Sequence, residues 1–114
     1  MAQGIMTMIY PVKDLARAKT MYGMLAGATP TSDSPYYVGF RVGEQEIGLD
    51  PNGHKNGLTG PVGYWHVGDI RKSLRRLLDA GAIVVQDVRD VGGGRLIAVA
   101  KDADGNAIGL LQDS

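Results

Sequence analysis

The chain has 114 residues, one domain's worth, with 44% hydrophobic and 21% charged residues and no cysteine. That composition fits a globular protein able to bury a core, and it excludes disulfides and thiol chemistry. Twelve acidic against twelve basic residues give zero net charge, which argues against nucleic-acid binding driven by bulk charge. No apolar run approaches the roughly 20 residues of a membrane span, and Met-Ala-Gln-Gly at the start lacks the basic and apolar regions of a signal peptide, so a cytoplasmic protein with no membrane partner is expected.

Residues 5–12 alternate in polarity, with Met6, Met8, Tyr10 and Val12 on one parity and Ile5, Thr7, Ile9 and Pro11 on the other, and predict a strand with two unlike faces. Asp14 is placed to cap a helix by accepting from the free N–H groups of its first turn. The expected buried stripe of that helix is Leu15, Ala18, Met21, Tyr22 and Leu25, and Gly27 is its stop. Residues 29–35 are turn-rich with one very short strand. Residues 36–42 alternate again, with Tyr37, Gly39 and Arg41 on one face, and residues 46–50 return as a strand. Residues 50–60, rich in Gly and Asn, read as a linker.

The second half repeats this grammar. A strand at 62–67 sets Val62, Tyr64 and His66 on one parity and Trp65 on the other, with Trp65 expected in the core against the following helix. Asp69 caps that helix, whose expected stripe is Ile70, Leu74, Leu77 and Leu78, and Gly81 ends it. Arg71, Lys72, Arg75 and Arg76 form its solvated face. Strands follow at 82–88, 95–101 and 107–111, with Gly92-Gly93-Gly94 in a loop and Asp102 to Asn106 in a turn. The glycine run precedes a strand and lacks the Lys-Ser/Thr of a phosphate loop, and the Asp102 turn is too short for a calcium loop. Val67 stands 55 residues after Val12, and Asp69 55 after Asp14, so the chain reads as two copies of one βαβββ unit, about 1–52 and 60–114. The fold class expected is α+β: a curved mixed sheet with a concave pocket and the helices on its outer face.

The ordered set Val12-Lys13-Asp14-Leu15, Ala26-Gly27-Ala28, Val67-Gly68-Asp69-Ile70, Ala80-Gly81-Ala82 and Asp102 to Leu110 resembles the glyoxalase / bleomycin-resistance / ring-cleaving dioxygenase superfamily, also called vicinal oxygen chelate. The resemblance spans both halves. It implies a divalent metal held by one residue of the first and one of the last strand of each repeat, and the matching positions here are Thr7, Gly48, Val62 and Gly109. Neutral Thr is a poor ligand, and Val and Gly offer no donor atom, so no metal and no cofactor is expected.

The resemblance then implies the family's metal-free branch, whose members bind or sequester small ligands, often as homodimers. The ligand-lining residues expected by parity are Thr7, Ile9, Tyr37, Arg41, Gly48, Val62, Tyr64 and His66, with Gly48 and Gly109 leaving space where a carboxylate would stand. Tyr37 and Tyr64 are placed to stack on a planar ligand, Arg41 to meet an anionic group, and Arg95 to lip the pocket. The function expected is metal-independent binding, including antibiotic resistance by sequestration. Two alternatives stand beside it. One is a lyase or isomerase of the same superfamily, using His66 as base or an atypical metal site. The other is a structural or regulatory module with an inert cavity.

Overall fold

The computed structural model describes residues 3–114. Its elements run β1 (Ile5–Pro11), α1 (Leu15–Ala26), β2 (Ser32–Ser34), β3 (Tyr37–Val42), β4 (Gln45–Asp50), β5 (Val62–His66), α2 (Ile70–Asp79), β6 (Ile83–Asp90), β7 (Leu96–Lys101) and β8 (Ala107–Gln112). This is the α+β, twice-repeated βαβββ order that the sequence predicts. The chain divides into two compact units, Met6–Val62 and Gly63–Ser114, the latter joined by the described residues up to Ile5. Among the described residues no helix is long and apolar enough to cross a membrane.

The two units use the same pairing scheme. In the N-terminal unit β2 pairs antiparallel with β3, β3 antiparallel with β4, and β4 parallel with β1. In the C-terminal unit β6, β7 and β8 pair antiparallel in turn, and β8 lies parallel to β5. A parallel neighbour needs a crossover, and the strand–helix–strand passage supplies it in each half. The helix starts repeat as well. Asp14 Oδ1 accepts from Arg17 N–H at 3.0 Å, and Asp69 Oδ1 from Lys72 N–H at 3.1 Å. At the start of α2, Gln112 Oε1 accepts a further bond from Ile70 N–H at 2.8 Å, so β8 holds the helix that packs on it.

Each helix covers one face of its sheet. Under α1 the core is Ala18, Val38, Phe40 and Leu49, with Leu15, Tyr22, Ala26, Tyr10, Val12 and Ile47 packed around it. Tyr10 and Tyr22 meet with ring centroids 4.8 Å apart. Under α2 it is Ile70, Leu74, Ala98, Ala100 and Leu110, with Leu77 and Val67 at its border. Two expectations are corrected here. The buried stripe of α1 is Leu15, Ala18, Tyr22 and Ala26, whereas Met21 and Leu25 are 62% and 85% exposed. The helix is rotated so that Gly23 lies against the sheet, where a β-carbon would make ordinary contact with the Phe40 ring at 3.5 Å. Trp65 is 41% exposed and stands outside the core under α2. In α2, Leu78 also stands outside the buried stripe.

Candidate functional site

The faces turned away from the helices carry the residues singled out in the sequence. In the N-terminal unit, Ile9 pairs with Gly48 across β1 and β4, and Thr7 with Glu46. Gly48 also pairs with Gly39 across β4 and β3, and Glu46 with Arg41. Thr7, Ile9, Tyr37, Gly39, Arg41, Glu46 and Gly48 therefore share one face, since paired strand residues point the same way.

Two facing glycines leave a trough in that sheet, and Tyr37 fills it. A β-carbon on Gly39 would stand 3.0 Å from Tyr37 Cε2. One on Gly48 would stand 2.7 Å from Tyr37 Cε1, 2.5 Å from Ile9 Cδ1, and in collision with the phenol oxygen. The phenol hydroxyl donates to Glu46 Oε2 at 2.7 Å. Arg41 Nη2 lies 3.9 Å from the other oxygen of the same carboxylate, so the ring is pinned at its far end by an acid that a guanidinium helps to hold. Sequence reasoning missed Glu46. Its signal was the parity it shares with Gly48 on β4.

In the C-terminal unit Tyr64 pairs with Gly109 across β5 and β8. A β-carbon on Gly109 would meet Tyr64 Cγ and Cδ2 at 2.7 Å and the Gly63 carbonyl oxygen at 2.9 Å. Here too an aromatic ring lies on the glycine, although it arrives from the first strand of the module and not from the third. Val62 stands two residues before Tyr64, as Thr7 stands two before Ile9, the partner of Gly48. The four positions at which the resemblance locates metal ligands thus hold equivalent register places in the two modules.

The expectation that Gly48 and Gly109 leave open space is corrected by this packing: tyrosine rings occupy it. A carboxylate side chain fits neither position, and Thr7 is 2% exposed and Val62 fully buried, so the residues present do not fit the family's metal ion. Among the described residues no group of three or more His, Cys, Asp or Glu side chains gathers elsewhere in a metal-binding arrangement. The expected ligand-lining residues split by exposure. Thr7, Gly48, Val62 and Tyr64 are buried, Ile9, Tyr37 and His66 are half-buried, and Arg41 is exposed.

His66 ends β5, where its N–H donates to the Gly4 carbonyl at 3.0 Å and its carbonyl accepts from Gln3 N–H at 2.7 Å. Its Nδ1 lies 3.8 Å from Asp113 Oδ2. Arg95, just before β7, donates from Nε to Asp113 Oδ1 at 2.8 Å. The Asp102 turn is closed on itself, as its sequence implies. Asp102 Oδ1 accepts from Asp104 N–H and Asn106 N–H at 2.9 and 2.8 Å, and Oδ2 from Asn106 Nδ2 at 3.0 Å. The Asn106 side-chain amide, and then its backbone N–H, hold the Asp102 carboxyl below the usual aspartate value.

Comparison with solved structures gives three similar folds. A methylmalonyl-CoA epimerase from Mycobacterium tuberculosis matches with a TM-score of 0.75 at 19% identity, over 99% of this chain and 89% of that one. A glyoxalase/bleomycin resistance protein/dioxygenase superfamily member from Vibrio splendidus matches at 0.71 and 12% identity, over the whole of both chains. A Mn(II)-bound glyoxalase from Novosphingobium aromaticivorans matches at 0.70 and 18% identity, over 98% of this chain and 39% of that one. At these identities the likeness is one of fold. No curated protein sequence matches. The family model described as Glyoxalase/Bleomycin resistance protein/Dioxygenase superfamily matches residues 4–110. With nearly its whole length matched and the repeated βαβββ order in place, this chain belongs to the glyoxalase/bleomycin resistance protein/dioxygenase superfamily.

Proposed function

We propose that this protein binds a small, largely apolar or aromatic ligand without a metal ion, as a cytoplasmic dimer, with sequestration of an antibiotic as one form that function takes. The reading rests on one observation: each module has a glycine where the family resemblance places a carboxylate ligand, and a tyrosine ring lies on it. The half-buried Tyr37 ring supplies flat apolar surface at little cost in side-chain freedom. In the N-terminal unit the contact surface is Ile9 and Tyr37 with Arg41 beside them; in the C-terminal unit Tyr64 is buried and His66 is the half-buried residue of that face.

The test is a thermal-shift screen of small aromatic compounds, followed by titration of the hits. Binding is expected to be saturable and unchanged by chelator, and Tyr37→Ala is expected to weaken it by about three- to tenfold. Loss of binding on adding EDTA, or a hit that Tyr37→Ala leaves untouched, overturns the reading.

A second reading, a lyase or isomerase, is favoured by His66 standing 3.8 Å from a carboxylate, since a histidine base is commonly oriented by an acid. The likeness in fold to an epimerase and a glyoxalase makes those activities the ones to assay. Turnover lost in His66→Ala establishes this reading in place of the first.

A further inference from the structure

Outside the tyrosine-covered faces and the Asp102 turn, one carboxylate has a nitrogen group near each of its oxygens. Asp113 Oδ1 accepts from Arg95 Nε at 2.8 Å, while Oδ2 faces His66 Nδ1 at 3.8 Å. The two nitrogen groups stand on or next to strands of one ladder. His66 pairs with Leu111, and Leu96, next to Arg95, pairs with Gln112. The carboxylate does not share that rigidity. Asp113 follows the last residue of β8, and its side chain is 55% exposed, against 14% for His66 and 29% for Arg95. The segment also crosses close over Gly94. That glycine has φ +81°, and a β-carbon on it would lie 2.7 Å from Ser114 Cβ. The result is a guanidinium and an imidazole held by the ladder, with a more exposed carboxylate between them.

We propose that Arg95 and His66 are the recognition pair for the carboxylate of a small apolar acid, and that Asp113 is an internal stand-in which such a ligand displaces. This deepens the ligand-binding reading and rests on it, narrowing the ligand from apolar to apolar and anionic. An ion pair with an exposed carboxylate contributes little to stability, so exchanging one carboxylate for another is nearly neutral on the protein's side. A guanidinium offers more than one donor edge to a carboxylate, and an incoming acid is free to take a better geometry than a tethered side chain. Asp113 lowers the apparent affinity by the fraction of time it lies between that pair.

The experiment is calorimetric titration of benzoate, and of neutral benzamide as its control, into the full chain at low salt. The chains compared are wild type, Asp113→Asn, Arg95→Gln and His66→Gln. Benzoate is expected to bind Asp113→Asn about two- to fivefold tighter than wild type, the range of an exposed ion pair. It is expected to bind Arg95→Gln about tenfold weaker, with His66→Gln between the two and benzamide unchanged throughout. Benzoate affinity that does not rise in Asp113→Asn, or does not fall in either the Arg95 or the His66 variant, overturns the proposal, as does failure of benzoate to bind any of the chains. If benzamide and other neutral aromatics bind while benzoate gains nothing, this inference fails and the ligand-binding reading stands. If neither kind of probe binds, both fail.

Discussion

At the scale of single residues, the molecule turns on which atoms fill the space above two strand glycines. Replacing a strand glycine by alanine ordinarily stabilises, by about 0.5–1 kcal/mol, because the unfolded chain loses freedom. At Gly48 the added methyl group would enter the Tyr37 ring and approach Ile9 Cδ1 at 2.5 Å, and overpacking of that kind costs about 1–3 kcal/mol. The clash outweighs the entropy, so Gly48→Ala is expected to lower stability by about 1–2 kcal/mol in a urea titration. The same change made in a Tyr37→Ala background is expected to cost nothing or to stabilise, because the clashing ring is gone and the nearest other atom, Ile9 Cδ1, ends a flexible side chain. An equal penalty in both backgrounds would mean that the ring does not occupy the glycine's space. None of this was legible in the sequence. Parity placed Tyr37 and Gly48 on one face, but a gap and a filled gap have the same parity.

At the scale of elements, what the sequence shows depends on how local the cause is. Caps and turns are decided within a few residues, so Asp14, Asp69, Gly27 and the Asp102 turn stand where spacing put them. The rotation of α1 is decided by what lies beneath it. Apolar periodicity put Met21 and Leu25 in the stripe beside Tyr22, whereas the packed helix keeps Tyr22, leaves those two exposed and adds Ala26. Trp65 misled in the same way: parity put it on the helix side of β5, but it is 41% exposed.

The Asp102 turn closes the β7–β8 hairpin and has a pH signature. Its carboxyl is held below the ordinary value of 3.8 by bonds from Asn106. A group depressed in the folded state contributes stability that is present above its unfolded value and lost as pH falls through its folded value. Asp102→Asn is therefore expected to lower the melting temperature at about pH 6, with the gap to wild type closing as the pH is brought to about 3 and below. A gap that stays constant across that range would show that the charge on Asp102 is not what holds the turn.

At the scale of the whole molecule, the chain is a duplicated module, and the duplication is visible at three levels at once. The sequence repeats at a 55-residue offset, the helix caps repeat atom for atom, and each module pairs its first strand in parallel with its last. That agreement between levels made the fold and the family legible before any coordinates. The candidate site was legible only in part. The sequence shows which ligand-type side chains are missing. What replaced them, a tyrosine from β3 in one module and from β5 in the other, follows from pairing between strands and is invisible in spacing. The modules have kept their register while solving the same vacancy by different routes.

The measurement that bears most directly on this account is the divalent metal content of the purified protein after equilibration with manganese, zinc and nickel and dialysis without chelator. With tyrosine rings on both glycines, and with Thr7 and Val62 at the remaining two positions, the expected result is far less than one ion per chain. One tightly held ion per chain, lost on substituting Thr7 or Glu46, would contradict it.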